Sequence, residues 1–98
     1  MGPIAHEIDS RLRKALAPSR LEVIDDSSAH AGHAGHDARG ESHFTVDIAA
    51  AAFEGLSRVE RQRLVNRALA DLLAERVHAL AIKARTPAEE AAQADAAS

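Results

Sequence analysis

The chain has 98 residues, 46% of them apolar, with only two aromatics, Phe44 and Phe53, and a formal net charge of -3 with histidine neutral. That length supports one domain around a thin core of Leu, Val and Ile, and no run approaches the roughly 18 apolar residues of a membrane span. Six histidines and no cysteine exclude disulfides, a thiol nucleophile and a cluster held wholly by the protein's own thiolates, and the mild acidity excludes polyanion binding by bulk charge.

Ile4, Ile8, Leu12 and Leu16 recur every four residues. Residues 4–17 therefore read as a first helix, with Glu7, Asp9, Arg11, Arg13 and Lys14 on its polar side. Pro18 stops it, because proline lacks the amide proton and clashes with the preceding turn. Residues 20–26 read as a strand through Leu21-Glu22-Val23-Ile24-Asp25. Residues 27–42 are rich in Ser, Ala, Gly, His and Asp. At about 16 residues they exceed the usual connection in a compact domain, and such loops are generally functional or disordered.

Residues 43–49 give the clearest strand, with Phe44, Val46 and Ile48 on one side and His43, Thr45 and Asp47 on the other. Together with 20–26 it makes an antiparallel hairpin. Residues 50–56 turn, with Gly55 as the flexible point. Ser57-Arg58-Val59-Glu60 is a capping box. It opens a second helix over 58–75 whose apolar stripe is Leu64, Val65, Ala68, Leu69, Leu72 and Leu73. Val77 to Ala84 reads as a third strand, and a strand–helix–strand crossover makes it parallel to the second. Thr86-Pro87-Ala88-Glu89 starts a short Ala/Glu helix that runs to about residue 94 and then frays. The order α-β-β-α-β-α predicts an α+β domain with a three-stranded mixed sheet and helices packed on one face. The domain spans 1–87, and 88–98 is a short C-terminal helix or tail. No signal-peptide pattern opens the chain, so a soluble intracellular protein is expected.

Two histidine contexts carry most of the available chemistry. One is His30-Ala31-Gly32-His33-Ala34-Gly35-His36 in the long loop; the other is His78 in Val77-His78-Ala79-Leu80. Neutral imidazole suits zinc, copper, nickel and iron, and it replaces thiolate on one iron of some [2Fe–2S] clusters. The plain reading makes the loop histidines solvated and His78 a strand-start residue with a local hydrogen bond. Parity puts His78 on the side of Leu80 and Ile82 if the strand is regular through Val77. The loop histidines at intervals of three could also chelate a divalent metal loosely. His43 reads as structural or as lining the base of the loop, and His6 as inert on the first helix.

Arg58, Arg61, Arg63 and Arg67 gather along the second helix, as a solvated face or as a surface for nucleic acid or a partner. Gly55-Leu56-Ser57-Arg58 lacks the second glycine of a Gly-x-x-Gly phosphate-clamping loop, and both phenylalanines read as core, so there is no platform for stacking bases. Ser42-His43, and Ser27 and Ser28 near His30, bring hydroxyl and imidazole together only along the chain, with no nucleophile elbow. Asp25-Asp26 reads as a turn opening. Independent catalysis is not expected.

Leu21-Glu22-Val23, Ser42-His43-Phe44, Phe53-Glu54-Gly55-Leu56-Ser57, Arg61-Gln62-Arg63-Leu64-Val65 and the run from Val77-His78-Ala79-Leu80 to Arg85-Thr86-Pro87 follow in that order. In order and spacing they resemble the BolA family over residues 4–87, and most closely its branch with histidine rather than cysteine in the first loop. The resemblance implies a fold related to type II KH domains. It implies a monothiol glutaredoxin as partner, in a heterodimer bridged by a [2Fe–2S] cluster that a glutaredoxin cysteine and a glutathione thiol hold in part. It implies no cofactor in the isolated protein, and His78 as a cluster ligand. His30 aligns best with the loop ligand, with His33, His36 and His43 as alternatives. The family is also credited with transcriptional roles, so DNA binding through the second-helix arginines is the rival expectation. Where the family commonly shows Arg-His-Arg, this chain has Arg61-Gln62-Arg63, which removes one imidazole from the helix start. Bacterial cytosol and mitochondrial matrix both fit.

Overall fold

The computed structural model describes residues 2–26, 43–77 and 79–97. Helix α1 spans Pro3–Leu16. Pro3 sits at its start, where a missing amide is harmless, and Ile4, Ala5, Ile8 and Leu12 are buried. On the solvent side Glu7 pairs with Arg11 at 3.0 Å and Asp9 with Arg13 at 2.7 Å, each one turn apart. The helix ends at Leu16, one residue earlier than the position of Pro18 suggests. Ala17 takes the left-handed conformation, φ 45°, and its N–H returns to the Arg13 carbonyl at 3.1 Å. That closes the last turn before the proline is reached.

Strands β1 (Arg20–Asp25) and β2 (His43–Ala49) pair antiparallel, with Val23 opposite Val46 and Leu21 opposite Ile48. Strand β3 (Ala79–Arg85) lies parallel to β2 on its other side. The order is β1-β2-β3, so β1 and β3 are both sheet edges. Phe44, Val46 and Ile48 enter the core with Ile8, Leu12, Val65 and Leu69, and burial of each such side chain contributes about 1.5–3 kcal/mol. The reverse face, with Glu22, Ile24, Ala81 and Lys83, is exposed. This is the pattern of a sheet covered on one side, as period-2 alternation in β2 requires.

A 3₁₀ turn, Ala51–Phe53, buries Phe53 after β2. Gly55 then takes φ 77°, a conformation that strains any residue with a Cβ. The predicted capping box is present: the Glu60 N–H donates to Ser57 Oγ at 3.2 Å, and the Ser57 N–H donates to the Glu60 carboxylate at 3.3 Å. The single helix expected over 58–75 is two, α2 (Arg58–Ala68) and α3 (Ala70–Glu75), broken at Leu69 with φ -111° and ψ 13°. The Leu69 N–H is shared between the Val65 and Asn66 carbonyls, both at 3.2 Å, a tightening toward 3₁₀ geometry. Core packing overrides the helical period here: Leu69, Leu72 and Val77 are all buried.

β3 begins at Ala79 rather than Val77. The Arg76 and Val77 N–H groups both return to the Leu72 carbonyl, at 2.8 and 2.9 Å. They close α3 and so cannot join the ladder. The last helix, α4 (Pro87–Ala97), is longer than expected because its alanine-rich sequence has high helix propensity. Its start is a second capping box: the Glu89 N–H donates to Thr86 Oγ1 at 3.1 Å, and the Thr86 N–H donates to the Glu89 carboxylate at 2.8 Å. Among the described residues, no helix is long and apolar enough to cross a membrane.

Candidate functional site

The strand directions bring Asp25, His43 and Ala79 to one end of the sheet. There the Asp26 N–H donates to the His43 carbonyl at 2.8 Å, and Thr45 Oγ1 donates to Asp26 Oδ2 at 2.6 Å. The hairpin is thereby closed up to the points where the segment 27–42 leaves and re-enters it. His43 is half-buried and stands opposite Ala79 in the register. Val77 is buried with its N–H bonded to Leu72, and Ala79 is in the ladder, so both neighbours of position 78 are held. His30, His33, His36 and His78 lie outside the described residues, and so does the expected side of His78. Their described flanks share the sheet end that carries His43.

Among the described residues, no three His, Asp or Glu side chains form a group that could hold a metal. The whole chain offers imidazole and carboxylate but no thiolate. Such a donor set suits one iron of a [2Fe–2S] cluster whose remaining ligands come from elsewhere, and does not suit an all-protein cluster.

The four arginines do not share one role. Arg63 and Arg67 are exposed one turn apart on α2, the spacing that puts both on one helix face. Arg58 is exposed at the start of α2. Arg61 is turned inward, with its side chain 14% exposed. Its Nε donates to the Leu56 carbonyl at 3.0 Å, one terminal nitrogen donates to the Ala84 carbonyl at 3.2 Å, and the fork grips Glu89 at 2.7 and 3.3 Å. A guanidinium so committed is a structural bracket between α2, β3 and α4. Hydrogen bonds from Arg61, and then from the Thr86 N–H, lower the Glu89 carboxyl from an ordinary 4.5 to about 2.

A second ionic group lies on the reverse face of the sheet. Asp47 accepts from Arg20 at 2.5 Å and from Arg85 at 2.9 Å, and Arg20 also pairs with Glu90 of α4. Burial pushes Asp47 up, but the hydrogen bond and charge of Arg20, with Arg85, outweigh it and hold the carboxyl below its usual range. Neither the Arg61 bracket nor this network is visible in the sequence. The Thr86-x-x-Glu89 capping motif was the available signal, but nothing local to it marks a partner 28 residues away.

A family model described as BolA-like protein matches residues 12–89. The chain belongs to the BolA family. It is 46% identical over 89 residues to BolA-like protein 1 of Homo sapiens, covering 91% of this chain and 62% of that protein. It is thus similar to a little under two thirds of the length of that curated relative. Among solved structures, the BolA domain of SufE1 from Arabidopsis thaliana superposes with a TM-score of 0.81 at 46% identity, covering 91% of this chain and 98% of that one. The solution structure of BolA1 from Mus musculus gives 0.80 at 42% identity, covering 96% of this chain and 73% of that one. The α+β fold with its three-stranded mixed sheet is therefore the BolA fold.

Proposed function

We propose that this BolA domain is a non-catalytic adaptor. It binds a monothiol glutaredoxin and co-ligates a bridging [2Fe–2S] cluster through His78 and a loop histidine, His30 first, in iron–sulfur trafficking or iron sensing. Cytosol of a bacterium or mitochondrial matrix is its compartment. The observation that supports the reading is the convergence at one sheet end of Asp26, His43 and the Val77–Ala79 step. Two histidine-bearing stretches far apart in sequence are flanked by residues brought together there. In this complex the chain supplies imidazole nitrogen, and the partner and glutathione supply the thiolates. Replacing thiolate by imidazole raises the cluster potential. Only neutral imidazole binds metal, so acid favours release.

Visible circular dichroism during anaerobic cluster reconstitution with a monothiol glutaredoxin and glutathione tests this. The parent protein is expected to give a heterodimer spectrum distinct from glutaredoxin alone, and His78→Ala to lose it. His30→Ala then reports on the second ligand. Spectra identical to glutaredoxin alone for all three proteins would sink the cluster reading. In the parent complex the visible bands are expected to weaken on acidification, and bands unchanged down to about pH 5 count against imidazole ligation.

A DNA-binding regulator is the second reading, favoured by the exposed Arg63 and Arg67, which have no ion-pair partner among the described residues. Arg63→Ala with Arg67→Ala is then expected to abolish DNA retention in a gel shift and leave cluster assembly intact. Loss of glutaredoxin binding instead would assign the pair to the protein interface.

A further inference from the structure

The second half of β3 is unlike the end where the histidine-bearing segments are flanked. A cavity of about 630 Å³ opens between the start of α2, the free edge of β3 and α4, lined among others by Leu56, Arg58, Ile82, Lys83 and Ala84. One side of it is the edge of β3. In a parallel ladder alternate residues turn both N–H and C=O to the same neighbour. The Arg85 carbonyl accepts from the Ala50 N–H at 3.0 Å, on the β2 side, whereas the Ala84 carbonyl accepts from Arg61. Ala84 therefore faces the open edge, and so by alternation do Ile82 and Leu80. Among the described residues no backbone bond outside the β2 ladder uses Ile82 or Leu80. The edge is stoppered at Ala84 by Arg61 and open at Ile82.

Two cations flank that open stretch from opposite sides. Lys83 lies on the reverse face of the sheet, in register with Asp47, and Arg58 lies at the start of α2 on the helix side. Both are exposed, and neither has an ion-pair or hydrogen-bond partner among the described residues. The acidic group of the groove, Glu89, is taken by Arg61. The unbalanced charge is positive, although the chain as a whole is negative. The walls at Leu56, Ile82 and Ala84 are apolar.

We propose that this groove takes an extended acidic peptide of a partner protein as a fourth strand on β3, hydrogen-bonded to the backbone of Ile82 and Leu80. Successive side chains of a strand point to opposite faces. Two adjacent acidic residues would therefore meet Lys83 on one face and Arg58 on the other. This is strand addition, in which main-chain bonds supply affinity and flanking side chains supply specificity. Symmetric pairing with the β3 of a second copy is disfavoured, because it brings Lys83 and Arg58 toward their own kind. Nucleic acid is disfavoured because both aromatics of the chain, Phe44 and Phe53, are buried in the core, so no ring is available for a base to stack on.

The test uses the full chain, labelled with ¹⁵N, and the octapeptide Val-Thr-Val-Glu-Asp-Val-Thr-Val, with its Lys-Lys counterpart and a ten-nucleotide poly(dT) as comparators. The acidic peptide is expected to shift the Leu80 and Ile82 amides and slow their hydrogen exchange, and the Lys-Lys peptide to do neither. The double variant Arg58→Glu, Lys83→Gln changes two exposed side chains; a glutamate in the first turn of α2 suits the helix dipole, and a neutral residue opposite Asp47 avoids a like-charge pair, so the fold is retained. It is expected to weaken the acidic peptide about tenfold or more. Equal binding of both peptides, binding unaffected by the double variant, binding of the oligonucleotide alone, or amide shifts that depend on protein concentration without peptide would each overturn the proposal.

Discussion

The starts of α2 and α4 carry the same local motif and differ in what surrounds it. Ser57-x-x-Glu60 and Thr86-x-x-Glu89 both close reciprocal capping boxes. The first is wholly at the surface, and both its bonds exceed 3.1 Å. In the second Thr86 is buried to 7% exposure, and Glu89 is also gripped by Arg61, which holds the Leu56 and Ala84 carbonyls as well. A capping box says where a helix begins. Whether it also joins three elements depends on a side chain that arrives from elsewhere.

The largest test of that difference is Arg61→Ala. It leaves Glu89 with only its Thr86 cap bond and strips two carbonyls of their Arg61 donor, and is expected to lower stability by about 2–3 kcal/mol in urea unfolding. A loss no larger than that of the exposed Arg63→Ala, which should stay within about 0.5 kcal/mol, would erase the distinction between the two boxes. Next come the caps themselves. Thr86→Ala is expected to cost about 1–2 kcal/mol and Ser57→Ala about 0.5–1 kcal/mol, read by thermal unfolding of the two variants side by side. Equal losses would mean that burial of Thr86 adds nothing.

The smallest effect is on acid stability. Glu89 titrates at about 2 in the folded protein against an ordinary 4.5, so the unfolded chain binds more protons across that window. Its contribution is fully present above 4.5 and is lost as pH falls toward about 2. The carboxylate is half exposed, so solvent screening keeps the effect modest. Glu89→Gln is expected to flatten the acid limb of the stability curve between those values and to leave neutral pH less affected than Arg61→Ala does. An unchanged acid limb would show that the Arg61 grip does not couple to folding.

Much of the fold was legible because it is written in local periods. The alternation of Phe44, Val46 and Ile48 gave β2, and the four-residue recurrence of Ile4, Ile8 and Leu12 gave α1. The parallel pairing of β2 and β3 followed from the helical crossover between them. The misses lie where packing or an amide already spoken for overrides a period: the helix break at Leu69, and Val77, whose N–H closes α3 instead of opening β3. The arginines show the limit most plainly. Arg61 and Arg63 look alike in sequence, yet one is a bracket and the other faces water. The sequence holds no cue for this, because Glu89 and Ala84 meet Arg61 only after the crossover has closed. For the histidines the register adds what the sequence lacked, namely that His43 and the residues flanking position 78 share one end of the sheet.

The parallel pairing of β2 with β3 also sets an order of events during folding. β1 reaches β2 by a hairpin, but β3 arrives only after the chain has run through α2 and α3. Such non-local parallel pairing is slow compared with hairpin or helix formation. Until it is complete, β2 exposes one unpaired edge along the most deeply buried strand of the sheet. Refolding yield is therefore most sensitive to chain concentration in that interval, before the crossover docks, when one molecule's β2 can capture another's strand in place of its own.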